Sequence, residues 1–179
     1  MLLRSALRAQ TGDCHADADE IFGRFDLSRL VEYQSFLSAH ARAVPAVEAA
    51  IEQAGIERLI PDWFERRRRE YLFADLAALG VKAPPLLPQP IFGCDAELWG
   101  AAYVLEGSKL GGAMLAKSVQ ADLPLRYLNP HGPKTGMKAF MDSLDNVPVA
   151  DPSRAVAAAR SVFALFHKAA AMELELPVS

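Results

Sequence analysis

YVLEGSKLGG, residues 103–112, places three glycines within six residues of a segment whose other spacing is helical. Each glycine in a helix costs roughly 1 kcal/mol relative to alanine. A helix keeps several only where something must approach its backbone closely or where it must bend. Gly107 and Gly111 are four residues apart, so they open one bare patch on a single helix face. Close helix–helix packing and close approach by another group both explain such a patch.

The segments on either side of this stretch show the same helical spacing of apolar residues. We predict helices over about residues 3–22, 27–54, 61–80, 95–120, 134–145 and 152–174. Pro45 should kink or divide the second helix, and Lys82–Pro90 should form an extended connector. No segment shows period-two alternation bounded by hairpin turns, so a sheet is not expected. The sequence predicts one all-α domain over residues 1–179, built as a helical bundle.

The composition is that of a soluble globular protein. The 179 residues are 51% hydrophobic and 23% charged, with a formal net charge of −3. This balance gives no electrostatic argument for nucleic acid or for an anionic membrane as a partner. We expect no secretory signal and no membrane span, and therefore a cytoplasmic protein. The basic run Arg66-Arg67-Arg68-Arg69 is expected to be a solvated helix face.

His15 lies beside the apolar stripe of the first predicted helix. A single histidine in such a position is commonly a hydrogen-bonded, partly buried residue. Its neighbours favour a second interpretation, because Arg8 lies two turns earlier, close to the same face, and Asp19 lies one turn later. A neutral imidazole in this setting could ligate an iron, while the cation meets a carboxylate at the edge of a cofactor.

Two sets of residues, on the first helix and on the glycine-containing helix, carry a resemblance to a known family. They are Leu7-Arg8, Thr11, His15 and Asp19, then residues 103–112, supported by the pairs Asp75-Leu76 and Leu79-Gly80. In these positions, and over nearly the whole chain, the sequence resembles the bacterial heme oxygenases. It is most similar to their bacteriophytochrome-associated, biliverdin-producing branch.

The resemblance implies a heme-oxygenase-like fold and an oxidoreductase that cleaves heme b to biliverdin, carbon monoxide and ferrous iron. Heme is then both substrate and cofactor. His15 is the implied proximal ligand of the iron. The implied distal helix crosses the other face of the heme and covers the oxygen site with Gly107, Ser108, Gly111 and Gly112. Glycines there would let the backbone approach the oxygen site without an intervening side chain.

The resemblance also implies which residues bind the rest of the heme. Lys134 and Lys138, at i and i+4 on the penultimate helix, resemble the bases that pair with the propionates, and Arg8 is a third candidate. Tyr103 and Phe163 are further heme-binding candidates, and Phe166 could also line the pocket. Plain solvent exposure of the lysines and core packing of the phenylalanines remain open at this point.

The same resemblance implies an external electron donor, a reductase or a ferredoxin. The chain has no nucleotide fingerprint of its own, since no GxGxxG follows a strand. The product could serve a bacteriophytochrome as chromophore, or the reaction could serve to release iron. No nucleic acid and no membrane is expected as a partner.

Two departures from the family pattern bear on turnover. Ser108 stands where many heme oxygenases have an aspartate that holds a water network, although the bacterial branch also has serine there. Lys109 stands where that branch commonly has threonine. Its ammonium either reaches solvent along its flexible stem, or it faces the pocket and disturbs oxygen activation.

Two other functions stay open on the sequence. The same fold could hold heme or another tetrapyrrole for sensing or storage without turnover, and Lys109 is the feature in favour. A di-iron or thiaminase-like protein is disfavoured, because the chain has no paired Glu-x-x-His motifs and no histidine and acid inferable around Cys14 or Cys94. The other histidines, His40, His131 and His167, are scattered and show no ligand spacing.

Overall fold

The computed structural model describes residues 2–129 and 132–175, which contain helices, turns and extended connectors but no strand. The α-helices of this part are α1 Leu3–Gln10, α2 Gly12–Phe22, α3 Leu30–Gln53, α4 Trp63–Arg66, α5 Arg69–Ala78, α6 Asp95–Leu115, α7 Gly136–Asn146 and α8 Ser153–Glu173. Short 3-10 helices at Ile56–Arg58 and Ala116–Ser118 follow α3 and α6. The predicted all-α fold is confirmed.

The centre of the bundle is α8, which packs against α2, α3 and α6. Small residues make this possible, since Ala155, Ala159, Ala169 and Ala170 on α8 are fully buried. Gly100 of α6 lies against the backbone of Ala155, where an added Cβ would come within 2.0 Å of the Ala155 carbonyl oxygen. The glycine that serves close helix–helix packing in α6 is therefore Gly100.

Within the described ranges, α8 is also the helix whose length and hydropathy would suit a membrane span. In the bundle, 56% of its apolar window is buried against the rest of the protein. Its exposed side carries Arg154 and Arg160, which form ion pairs with Glu97 and Asp13. The position of α8 in the core accounts for its apolar composition.

The first predicted helix is in fact two helices, which corrects the expected geometry around His15. The chain leaves the helical conformation at Thr11, with φ −128° and ψ 12°. The buried Thr11 hydroxyl donates a hydrogen bond of 2.8 Å to the Leu7 carbonyl oxygen, which satisfies an acceptor at the end of α1. Arg8 and His15 consequently lie on different helices and not along one continuous face.

Of the kink or division expected at Pro45, the division does not occur: α3 continues from Leu30 to Gln53 through the proline. A proline inside a helix removes one backbone donor and so disturbs the hydrogen bonding of the preceding turn. One turn before Pro45, the Arg42 carbonyl oxygen accepts a hydrogen bond of 2.8 Å from the Leu87 backbone nitrogen. The extended connector after α5 thus supports α3 beside its proline.

The basic run at residues 66–69 is not a solvated helix face, and this prediction was wrong. The backbone is extended at Arg67, with φ −63° and ψ 152°, so α4 ends before it and α5 begins after Arg68. Glu48 of α3 accepts hydrogen bonds from the backbone nitrogens of Arg68, at 2.7 Å, and Arg69, at 3.2 Å. A buried carboxylate from another helix therefore caps α5. Arg66 and Arg68 point inward and are each only 3% exposed.

Candidate functional site

A cavity of about 440 Å³ lies between α2, α3, α6 and α8. Its size is that of a site for a small molecule or cofactor, and such sites are mostly apolar with a few converging polar groups. The apolar lining includes Phe22, Phe36, Val104, Leu110, Met114, Leu115, Leu128, Met141, Phe163 and Phe166. The polar lining includes His15, Asp19, His40, Arg68, Tyr103, Ser108 and Tyr127. Of the sequence-predicted residues, the structure brings His15, Tyr103, Phe163, Phe166, Gly107, Ser108, Gly111 and Gly112 together here.

His15 projects from α2 into this cavity. Its Nε2 lies 3.4 Å from the hydroxyl oxygen of Tyr103 on α6, and its ring packs edge-on against Phe163 of α8, with centroids 4.6 Å apart. Burial lowers the pKa of His15, while the nearby Asp19 carboxylate opposes that shift. The imidazole is therefore neutral at neutral pH, the form that can ligate a metal.

The glycines of α6 differ in what surrounds them. A Cβ added at Gly107 or Gly111 would meet no atom within 4 Å, whereas one added at Gly112 would contact the Leu128 side chain at 3.4 Å. The helix is continuous across all three positions, so they do not serve to break it. Gly107 and Gly111 thus leave bare backbone facing the cavity.

The cavity also has polar residues that the sequence analysis missed. The His40 ring of α3 packs at tilted angles among Phe22, Phe36 and Tyr127, and its Nδ1 lies 2.9 Å from the Phe36 carbonyl oxygen. Burial lowers the pKa of His40 to about 4, so the ring is neutral. A lone histidine inside an apolar helix gives no sequence signal that distinguishes this position from ordinary core.

Tyr127 and Arg68 are two further cavity residues that the sequence did not indicate. The Arg68 guanidinium lies over the Tyr127 ring, 4.7 Å from its centroid, and donates to Ser108 Oγ and to the Leu105 carbonyl oxygen. The Tyr127 hydroxyl is buried and has no hydrogen-bond partner among the described residues. Burial raises the pKa of Tyr127 to about 12, so this hydroxyl keeps its proton.

The predicted propionate-binding bases lie outside the cavity lining. Arg8 is exposed on α1, close enough for its charge to counteract the burial that raises the pKa of Tyr103. Lys134 is exposed in the turn that precedes α7, so it does not share that helix with Lys138 as expected. Lys138 is exposed and forms an ion pair of 2.6 Å with Asp142.

The other candidate residues lie apart from this cavity or outside the described residues. In residues 2–129 and 132–175, no group of three or more His, Cys, Asp or Glu side chains could hold a metal ion. Cys14 and His167 line a separate groove between α2 and α8, and Cys94 lies beside α6 in another. His131, expected in a loop, lies outside the described residues.

Comparison with solved structures gives the fold. A heme oxygenase from Neisseria meningitidis, solved with NO and CO bound, superposes with a TM-score of 0.86 over 100% of this chain and 95% of that chain, at 23% identity. A heme oxygenase from Leptospira interrogans superposes with a TM-score of 0.73 over 96% of this chain and 100% of that one, at 19% identity. These likenesses establish a heme-oxygenase-like fold.

Comparison with known sequences gives the family. No family model matches the chain. A heme oxygenase from Xanthomonas campestris pv. campestris (strain 8004) is 30% identical over 171 residues, which cover 90% of this chain and 95% of that protein. With this identity extending over nearly both full lengths, the chain belongs to the heme oxygenase family.

Proposed function

We propose that this protein cleaves heme b oxidatively to biliverdin, carbon monoxide and ferrous iron. The observation that carries the proposal is a mostly apolar cavity lined both by a neutral imidazole, His15 of α2, and by bare backbone at Gly107 and Gly111 of α6. A flat macrocycle fits between two such surfaces, since one offers a ligand and the other admits a small molecule at the iron. Heme, when bound, supplies both the iron that activates oxygen and the ring that is oxidised.

On the proximal side, the role of the chain is to hold one ligand in a fixed orientation. His15 would ligate the iron through a ring nitrogen, which burial keeps unprotonated. Edge-on contact with Phe163 limits rotation of the ring. Asp19 and Tyr103 are the polar groups beside it in the cavity wall.

On the distal side, the chain supplies space and proton donors. Gly107 and Gly111 leave the oxygen site open, and Ser108 Oγ is held between Arg68 and the Leu105 carbonyl oxygen. Tyr127 keeps the proton on its hydroxyl, and a neutral His40 lies beside it. We assign to these groups the ordering of water near the oxygen site.

The propionates need cations at the mouth of the cavity, and we propose Arg8 for that role. Arg8 is exposed and lies near Tyr103, whose pKa its charge affects. Lys134 and Lys138 remain candidates from exposed positions around α7, although Lys138 would have to leave Asp142 to reach a propionate. A bidentate guanidinium is well suited to a carboxylate.

We further propose that electrons come from a separate reductase or ferredoxin, that the reaction takes place in the cytoplasm, and that a bacteriophytochrome could receive the biliverdin. The alternative of heme binding without turnover was based on Lys109. Lys109 does not line the cavity and its ammonium pairs with Glu106 Oε1 at 2.6 Å, so it supports no argument against catalysis.

A heme titration followed by absorbance tests the proposal, with wild type, His15→Ala and a control, His167→Ala. His167 is exposed on α8, apart from the cavity, so its removal should leave heme binding unchanged. We expect a one-to-one Soret complex in wild type and in the control, and a lost or altered complex in His15→Ala. Adding ascorbate or a reductase to the wild-type complex should bleach the Soret band and form biliverdin. A stable, unreactive complex would instead support a binding protein.

A further inference from the structure

Lys109 occupies an unusual position on the distal helix. The cavity lining passes through its neighbours Ser108 and Leu110 but leaves Lys109 out. Its side chain is only 14% exposed, and its ammonium lies 2.6 Å from Glu106 Oε1, one turn earlier on α6. Burial lowers the pKa of Lys109, and the Glu106 carboxylate opposes that shift. The lysine therefore lies on the back of the glycine segment, against the protein interior.

The ion-pair partner of Lys109 is Glu106. It is 2% exposed, and its two carboxylate oxygens meet two different cations, Lys109 at Oε1 and Arg66 Nη1 at Oε2, 3.0 Å away. Arg66 also binds Asp62 through two contacts, of 2.6 Å and 2.9 Å. These four side chains carry two negative and two positive charges, so the cluster is neutral only with Lys109 in place. Without it, a buried carboxylate would be left in excess, which is strongly unfavourable.

The cluster connects three parts of the fold at the level of Gly107. Glu106 and Lys109 lie on α6, and Arg66 is the last residue of α4. Arg66 Nη1 also donates a hydrogen bond of 3.0 Å to the carbonyl oxygen of Gly136, the first residue of α7. Gly107 has no side chain on the cavity side, where even a Cβ would meet nothing within 4 Å. Ser108 is held by Arg68 in the cavity wall, so the position of Gly107 itself depends on its neighbours and on the contacts at the back of the turn.

We propose that Lys109 is a positioning residue for the distal helix: by balancing Glu106, it holds the turn around Gly107 against α4 and α7. This role rests on the proposed function, in which that turn covers the oxygen side of the heme. The proposed role accounts for a lysine at the position where the sequence departs most clearly from the family pattern. The lysine acts through Glu106 and touches neither heme nor oxygen.

Hydrogen exchange of the heme-free protein, read on peptides within residues 104–112, tests the proposal without depending on heme. We expect Lys109→Met to exchange there faster than wild type by roughly tenfold, the effect of losing a partly buried ion pair from a locally opening segment. Lys109→Arg should restore slow exchange because it keeps the charge. The double variant Glu106→Gln/Lys109→Met should also restore it, because it removes both charges. Lys117→Met, an exposed lysine just beyond α6, is the matched control.

A second measurement reads the effect at the heme itself. In the reduced complex with carbon monoxide, the stretching frequency of the ligand reports the local field. We expect Lys109→Met to shift this frequency away from the wild-type value, because the turn that faces the ligand is no longer held in place, and the double variant to return it toward wild type. Unchanged exchange in Lys109→Met, or a change that Lys109→Arg does not repair, overturns the proposal. Loss of heme binding in wild type would instead contradict the proposed function and leave the exchange result interpretable.

Discussion

The hydroxyl oxygen of Tyr103 lies 3.4 Å from Nε2 of His15. The two residues come from different helices, α6 and α2, and both line the cavity. A ring nitrogen that faces a hydroxyl is shielded from an incoming metal until the hydroxyl moves. Heme binding through this nitrogen must therefore displace the contact between His15 and Tyr103.

Replacement of Tyr103 by phenylalanine should make heme binding faster. The variant removes the competing hydroxyl and keeps the aromatic ring in the wall of the cavity. A single hydrogen bond contributes about 0.5–1.5 kcal/mol net, and the long distance places this one at the lower end. We expect the association rate of heme, measured by stopped-flow absorbance, to rise by roughly twofold to threefold. Slower binding or lower affinity would mean that the hydroxyl serves the bound heme.

Replacement of Gly107 by alanine should separate stability from activity. A Cβ at this position meets no atom within 4 Å, and alanine favours the helix over glycine by roughly 0.5–1 kcal/mol. The heme-free variant should therefore be at least as stable as wild type in urea unfolding. Its methyl group would project into the oxygen side of the cavity, so biliverdin formation should fall by roughly tenfold to a hundredfold.

Gly100→Ala is the matched control for this result. There a Cβ would lie 2.0 Å from the Ala155 carbonyl oxygen, so we expect a loss of about 3 kcal/mol or more in the free energy of unfolding. A destabilised Gly107→Ala, or one that turns over heme at the wild-type rate, would show that the bare backbone is not what the site requires.

The pH dependence of stability should include a contribution from His40. Its pKa is lowered by burial from 6.5 to about 4, so between these values the unfolded chain binds a proton that the folded protein excludes. Stability must therefore fall as the pH decreases from 6.5 toward 4, by an amount on the order of 3 kcal/mol for this group. Above that range the contribution is constant.

His40→Phe keeps an aromatic ring among Phe22, Phe36 and Tyr127 but cannot titrate. The free energy of unfolding of this variant, followed by urea titration at several pH values, should decrease less steeply toward acid than that of wild type. Other groups titrate in both proteins, so the difference between the two curves isolates His40. Parallel curves would mean that His40 is not held neutral by its surroundings.

The apolar spacing of the sequence was sufficient to predict the helices, because that spacing records which face of each helix is buried. It did not predict the breaks at Thr11 and Arg67. The break at Arg67 depends on the Glu48 carboxylate, which lies about 20 residues away on α3 and caps α5. Helix boundaries set by such tertiary contacts leave no local pattern to recognise.

The cavity lining was predictable only in part. His15 and the glycines do line one cavity, but the family resemblance singled them out, since neither a lone histidine nor helical glycines are specific by themselves. His40 and Arg68 could not be predicted, since one occurs in an apolar helix and the other in a charge run that usually marks a solvated face. Their place in the cavity follows only from how α3 and the start of α5 pack. The spacing of Lys134 and Lys138 suggested one helix face, but α7 begins at Gly136, so only Lys138 lies on that helix.

Arg68 and Arg67 provide a direct test of the inward-facing basic run. Arg68 is 3% exposed and bonds Ser108 and the Leu105 carbonyl oxygen, whereas the Arg67 side chain is 27% exposed and pairs with Glu70 at 2.9 Å and, more loosely, with Glu52 at 3.5 Å. Arg68→Met leaves buried acceptors without their donor and should cost about 2–4 kcal/mol in the free energy of unfolding. Arg67→Met should cost less than about 1 kcal/mol, the usual range for a surface pair.

Urea unfolding of both heme-free variants measures the difference, and equal losses would contradict the buried role of Arg68. Because Arg68 holds Ser108 in the cavity wall, its variant should also slow biliverdin formation while Arg67→Met leaves the rate unchanged.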